Sequence, residues 1–303
     1  MKLCKPLFEI WEQPAGLEGV YKQIEKVGRV CYKSEDKITE DSAKPFVDRM
    51  IKSGHGAMLE HGTVYLAMPM ETILPIEANS WGKYTRNPYS KGFKVCEVDG
   101  QRRVAVTTNL RVLIENGWFD DLKYICEPTE FHEKRVTVHF VCDRGVSHEF
   151  VRHRVMSFAQ ESTRYCNYSK DKFGNELTFI KPCWLDIPTG QYVYWDGDWC
   201  DINKMKIQLP EGEHKDIDAF LWTLNNAETH YTLLINSGWK PQEARAVLPN
   251  SLKTELVVTG FTSDWNHFFD LRARGTTGAP HPQAKELAEP LMKEFITRKY
   301  IDN

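Results

Sequence analysis

The sequence contains no apolar run of 18 residues, so nothing in it reads as a membrane-spanning helix. It also lacks GxGxxG, GxxxxGK[ST] and GxSxG, which removes the Rossmann fingerprint, the Walker phosphate loop and the hydrolase nucleophile elbow. Its eight cysteines (Cys4, Cys31, Cys96, Cys126, Cys142, Cys166, Cys183, Cys200) are dispersed without a CxxC pair. That argues against a structural zinc site and for free thiols in a reducing compartment. The opening MKLCKPLFEIWEQP has too short and too charge-broken an apolar stretch for a secretory segment, so the expected location is the cytoplasm. An excess of one charge sign is missing too: 39 Lys and Arg stand against 42 Asp and Glu, a formal charge of −3. Bulk electrostatics gives no reason to bind nucleic acid or a membrane, and any anion must be captured locally.

What remains is an ordinary globular composition, 41% apolar and 27% charged over 303 residues, compatible with one large domain or two. Leu17, Val20, Tyr21, Ile24, Val27 and Cys31 share one helical face over residues 17–31, and Phe46, Val47, Met50 and Ile51 repeat the pattern over 40–52. Residues 63–68 read as a strand, and Val136, Val138 and Phe140 alternate with Thr137, His139 and Val141 as another. Asp143 is placed to cap a helix carrying Val146 and Phe150. Ile217 to Ile235 forms the strongest amphipathic helix, ended by Gly238 and followed by Pro241, which can open the next. Beyond it come a helix over 242–247, a strand over 255–261 and helices over 264–272 and 283–296. Two intervals stand apart as insertions. About 69–135 is rich in Gly, Pro, Asn and aromatics with one evident helix near 110–116, and 182–214 is loop-like and aromatic.

Chemistry concentrates in RHRVMSFAQESTRYCNYS, residues 152–169, where Arg152, Arg154 and Arg164 accompany His153, Ser162 and Thr163. Guanidinium forks bind phosphate bidentately and hydroxyls complete the anion's hydrogen bonds. A solvated basic turn is the plainer alternative. In SGHGAMLEHG, residues 53–62, His55 and Glu60 lie among small residues, and Gly54 and Gly56 would let a planar ligand approach the backbone. A helix cap is the plainer role for that histidine. Arg245 and Arg272 rest on apolar helices, where a charge needs either a ligand or a structural partner. HEFVRH imitates a zinc-protease helix, but His148 and His153 are five apart rather than four, about 140° off a common face, so no metal site is expected.

These residues carry a resemblance. Arg152 to Arg154 followed after seven residues by Ser162 resembles the signature of the flavin-dependent thymidylate synthases. GRVCYKS around Arg29, SGHGAMLEHG, EARAVLPNSL around Arg245 and NHFFDLRARG around Arg272 are similar to further blocks of that family, in the same order. The resemblance implies an α/β (α+β) fold with a mixed, largely antiparallel sheet flanked by helices and no Rossmann unit, here as one domain, 1–303, with the two insertions. It implies reductive methylation of dUMP to dTMP with 5,10-methylenetetrahydrofolate as carbon donor, FAD as redox carrier and NADPH as reductant. It also implies a homotetramer with sites shared between subunits. Carried over by position, Cys31, His55, Glu60, Arg152, His153, Arg154, Val155 and His267 would contact the flavin, and His55 would also border the folate. Glu149, Arg152, Gln160, Ser162, Thr163, Arg164, Arg245 and Arg272 would hold dUMP. Arg272, on the uracil edge, would stabilise charge as C5 becomes nucleophilic; Ser162 and His55 complete the catalytic candidates.

Three departures stand out. Phe261 and Ser263 follow the VVTG strand where the family often has Asn and Arg, altering the expected grip on the FAD adenosine. Glu149 replaces a frequent Gln, and its charge can sit beside dUMP only if paired with an arginine or protonated. The two insertions have no counterpart in shorter members. Competing readings are a nucleotide- or RNA-binding module, which the acidic balance disfavours, and a synthase fold that has lost its flavin.

Overall fold

A computed structural model describes residues 1–70, 79–98, 100–170, 173–210 and 215–302. Parts of both expected insertions, residues 71–78 and 211–214, lie outside the described residues. The strands, in chain order, are β1 (Lys2–Cys4), β2 (Leu7–Trp11), β3 (Thr63–Pro69), β4 (Lys91–Val98), β5 (Gln101–Asn109), β6 (Arg135–Asp143), β7 (Ser157–Gln160), β8 (Thr178–Ile180), β9 (Gly190–Gln191), β10 (Val193–Trp195), β11 (Asp198–Cys200) and β12 (Lys253–Phe261). The α-helices are α1 (Gly16–Tyr32), α2 (Ala43–Lys52), α3 (Gly56–Leu59), α4 (Leu110–Glu115), α5 (Arg144–Phe150), α6 (Lys215–Asn236), α7 (Pro241–Ala244), α8 (Thr262–Phe269) and α9 (Pro282–Thr297).

The fold is mixed α/β. Its central sheet, ordered β2-β6-β12-β7, is antiparallel throughout. Register fixes its faces, because Val257 lies opposite His139, Thr259 opposite Thr137 and Phe261 opposite Arg135. One face carries Val136, Val138, Phe140, Leu256 and Val258, packed on Trp265, Phe268 and Phe269 of α8 and Leu291 and Phe295 of α9. The other turns Arg135, Thr137, His139, Glu255 and Thr259 toward α1, whose Val27 and Val30 pack on Trp11, Ala159 and Val257.

A second antiparallel sheet, β3-β5-β4, occupies much of the interval 69–135, where the sequence suggested only a helix. It packs Val64, Leu66, Val104 and Val106 against Val20 and Ile24 of α1. α6 buries Ile217, Leu221, Leu224 and Tyr231, at helical spacing, against Tyr168, Phe179, Tyr192 and Trp199. Tyr192 and Trp199 of the second interval thus join a core, while Trp184, Tyr194 and Trp195 stay exposed. No helix among the described residues is long and apolar enough to cross a membrane.

Candidate active site

The arginine-rich segment starts from a well-anchored helix. Asp143 Oδ1 caps α5 by accepting from the Val146 N–H at 2.6 Å, and Oδ2 accepts from Gln283 of α9 at 2.7 Å. α5 ends at Phe150, and the chain turns through Arg152, His153, Arg154 and Val155 before β7. Val155 holds φ at +66°, a left-handed conformation uncommon for a branched residue. Arg152, Arg154 and Val155 are exposed, whereas His153 is buried with its ring 4.9 Å from Phe268.

Arg272 arrives from the other side on a π-helical turn, Asp270–Arg274, that continues α8 and stops at Gly275, φ +71°. Each of its three nitrogens makes one bond, which leaves two N–H groups to donate elsewhere. Nη1 meets Glu149 Oε2 at 2.6 Å, Nη2 donates to the Glu149 carbonyl at 2.8 Å, and Nε donates to His153 Nε2 at 3.2 Å. Glu149 therefore takes the paired alternative. Accepting at Nε2 requires a neutral His153 with its proton on Nδ1. Burial, then the charges of Arg272 and His267, push the His153 pKa down to about 4. The exposed His267 lies 5.9 Å from His153, ring to ring.

A second group forms where β7 runs out. Gln160 Nε2 donates to Ser147 Oγ of α5 at 2.8 Å and to Thr254 Oγ1 at 3.2 Å. The Ser162 N–H donates to the Cys31 carbonyl at 3.0 Å, pinning the loop to the end of α1. Arg245, following α7, which Pro241 opens, reaches Thr163 Oγ1 with Nη1 at 3.3 Å. Arg164 is exposed over the Tyr165 ring, 5.5 Å away. Burial pushes the Cys31 thiol up to about 11, so it stands as a neutral packing group beside Met58 and not as a thiolate.

The third group surrounds α3. His55 precedes it, exposed, and Glu60 closes it. The Glu60 carboxylate pairs with Arg111 at 2.5 Å, while its carbonyl accepts from Arg135 Nη1 at 2.9 Å. The space left by Gly56, expected to admit a ligand, is filled instead by Arg111, whose Nε lies 2.9 Å from where a Cβ would stand. Arg135 is 6% exposed; its other bonds go to Thr63 and Ser157 hydroxyls, and its Nε has no partner among the described residues. At the departure after VVTG, the Phe261 ring lies between Lys91 (4.7 Å) and Arg135 (5.4 Å), and Lys91 Nζ donates to Ser263 Oγ at 2.7 Å.

Arg111, Arg135 and Lys91 are the residues that motif reasoning missed, all within or at the end of the interval 69–135. For Arg135 a signal existed, since alternation with Val136 and Val138 already aimed it at the polar face. Within one chain, no hydrogen bond or ion pair among the described residues joins the Arg272 group directly to the Arg245 group. Gln160 bridges them indirectly, through Ser147, two positions before Glu149 on α5.

Comparison with known proteins gives the class. The model of a family described as thymidylate synthase complementing protein matches residues 101–298, starting inside the first of the two intervals. The chain belongs to that family. Among curated relatives, the flavin-dependent thymidylate synthase of Pyrococcus furiosus is 30% identical over 163 residues, 53% of this chain and 53% of its own length. That of Corynebacterium aurimucosum is 22% identical over 286 residues, 93% of this chain and 78% of its own length. The chain spans about half the length of the first curated relatives it matches. A solved UMP/dUMP methylase, PolB from Streptomyces cacaoi, bound with 5-Br dUMP, is 17% identical with a TM-score of 0.42, covering 98% of this chain and 93% of that one.

Proposed function

We propose that this chain is a flavin-dependent thymidylate synthase: it converts dUMP to dTMP with 5,10-methylenetetrahydrofolate as carbon donor, FAD as redox carrier and NADPH as reductant. The observation that carries the reading is the junction of Arg245 with Thr163, 82 positions apart, in a family member whose Thr163 loop also bears Ser162 and Arg164. Two guanidinium groups and two hydroxyls there suit a nucleotide phosphate. Glu149 orients Arg272 at the opposite end of Gln160, where a pyrimidine edge would lie. Held by three bonds, Arg272 needs no reorganisation to stabilise negative charge on a carbonyl oxygen.

The residues fit an anionic flavin nucleotide. Arg152 and Arg154 are exposed, and Arg135 is buried with an orphaned Nε and no carboxylate within 4.0 Å among the described residues. When bound, the flavin supplies hydride chemistry that side chains lack, and His55, Glu60, Val155 and His267 would border it. In the homotetramer that this reading entails, the exposed Arg152, Arg154 and Arg164 would face a neighbouring copy. Residues 1–303 would form one domain, with the intervals 69–135 and 182–214 as elaborations and the cytoplasm as its place of work.

The test is a visible spectrum of the purified protein and a product assay. FAD absorbance and dTMP formation strictly dependent on dUMP, folate donor and NADPH are expected; a colourless, inactive protein overturns the reading. Arg272→Ala should lower kcat/KM by about 10²–10³ while FAD stays bound. Equal loss of both would refute the role given to Arg272.

A further inference from the structure

Beneath the Gln160–Arg164 segment lies a chain of paired charges that the proposed reaction does not use. Glu161, 2% exposed, accepts from Tyr168 Oη at 2.9 Å and from Lys253 Nζ at 3.1 Å. Lys253 also binds Glu255 at 2.6 Å, and Glu255 in turn holds Lys33 Nζ and His139 Nε2, each at 2.9 Å. The Glu161 N–H donates to the Glu255 carbonyl at 2.8 Å. Lys33, at φ +47°, ends α1 two residues after Cys31, whose carbonyl holds Ser162.

Burial works against ionisation of both Glu255 and Lys253, yet each favours the other's charge. Burial alone would raise the Glu255 pKa, but His139, Lys253 and Lys33 hold it well below the usual carboxylate range. Lys253 is lowered by burial and raised further by Glu161 and Glu255, so it stays cationic. The Glu161 side chain, ion-paired with Lys253 Nζ at 3.1 Å, stands one residue from Ser162 and two from Thr163, in the segment assigned to a phosphate dianion. Such a charge, left bare in a partly desolvated loop, would repel the ligand. Lys253 is the cation within 4.0 Å of it among the described residues.

We propose that Lys253, acting through the buried Glu161, is a positioning residue for nucleotide-phosphate recognition by the Gln160–Arg164 segment. It cancels the carboxylate under the loop and fixes the loop's underside to β12. The proposal rests on reading that segment as the dUMP phosphate site, and it sharpens that reading. A phosphate-bearing ligand must feel Lys253, whereas the same nucleoside without phosphate must not.

The experiment titrates the full-length, FAD-loaded protein with dUMP and with deoxyuridine. Wild type should prefer dUMP strongly. Lys253→Met should lose about tenfold or more in dUMP affinity while deoxyuridine affinity stays within about twofold. Lys253→Arg should keep the wild-type ratio, and Glu161→Gln with Lys253→Met should restore it to within about threefold. Parallel loss of both ligands in Lys253→Met, with no recovery in the double variant, would make the pair merely structural and overturn the proposal. If Lys253→Met does not fold, Glu161→Gln alone decides, because it must raise the preference for dUMP; an unchanged ratio overturns the inference. Wild type binding both ligands equally is a different failure, that of the phosphate assignment itself.

Discussion

The two faces of the β6–β12 pair differ by one residue of register and by almost everything else. On one, Val136, Val138, Phe140, Leu256 and Val258 meet the rings of Phe150, Trp265, Phe268, Phe269 and Phe295. On the other, polar groups form a ladder: Arg135 to Ser157, Thr137 to Thr259 to His61, and His139 to Glu255. The apolar face gains stability from area removed from water, and no single pair decides it. The polar face gains little net stability, but each of its members is costly to orphan. The site divides accordingly. The loops bearing Glu60 and Ser162 are tied to the polar face, while Arg272, on the π-helical turn, and His153, in the turn after α5, are seated on the apolar one.

The hardest blow to this contrast would fall on the apolar face. Phe268 touches Phe140, Phe150, Trp265 and the His153 ring. Phe268→Ala should cost about 3–5 kcal/mol by opening a cavity at the centre of that cluster. Urea unfolding measures it, and a loss below about 1 kcal/mol would mean that the rings repack freely and that this face is not the core.

On the polar face the expected effect is smaller and of another kind. Thr259→Val keeps the volume but removes the hydroxyl shared by Thr137 and His61, both buried. About 1–3 kcal/mol should be lost, through desolvated groups left without partners and not through packing. Thr137→Val with Thr259→Val should then cost less than the sum of the single changes, as a double-mutant cycle reads it. Strict additivity would show that the ladder is not coupled.

Which of these features could be read from sequence depends on the range of the interactions that create them. Helix α1, helix α6, strand β6 and the Asp143 cap follow from neighbours within a few residues, so their periodicity was visible. β5 was hidden because Val104 to Asn109 are all buried and show no alternation. β4 was hidden because its edge position leaves Val95 exposed and a register shift at Phe93, φ +58°, breaks its pattern. The π-helical turn under Arg272 leaves no compositional trace, and the sequence reads it as plain helix. For the site, the motif blocks named Arg272, Glu149 and Arg245. That Glu149 takes Arg272 as its partner is a contact 123 positions apart, and no local rule supplies it. The same holds for Arg111 on Glu60 and Lys91 on Ser263, separated by 51 and 172 positions.

The finest probe uses one histidine from each face. Burial, and secondarily Arg135, lower the His61 pKa to about 3, while burial and then Arg272 and His267 bring His153 to about 4. In the unfolded chain both should titrate near the ordinary value of about 6.5. Above that value both states are neutral and the histidines are silent. As pH falls below it the unfolded state takes up protons that the folded state refuses, so stability drops. Between pH 7 and 5.5 the loss should be about 1 kcal/mol from each group, read as a falling denaturation midpoint. Carboxylates such as Glu255, held below their usual range, join only at lower pH. His153→Asn and His61→Gln should each remove a comparable part of this slope, the remainder coming from His132, which burial also lowers. If one of the two substitutions left the slope unchanged, that histidine would be free to protonate in the folded state, and its face would be open to water.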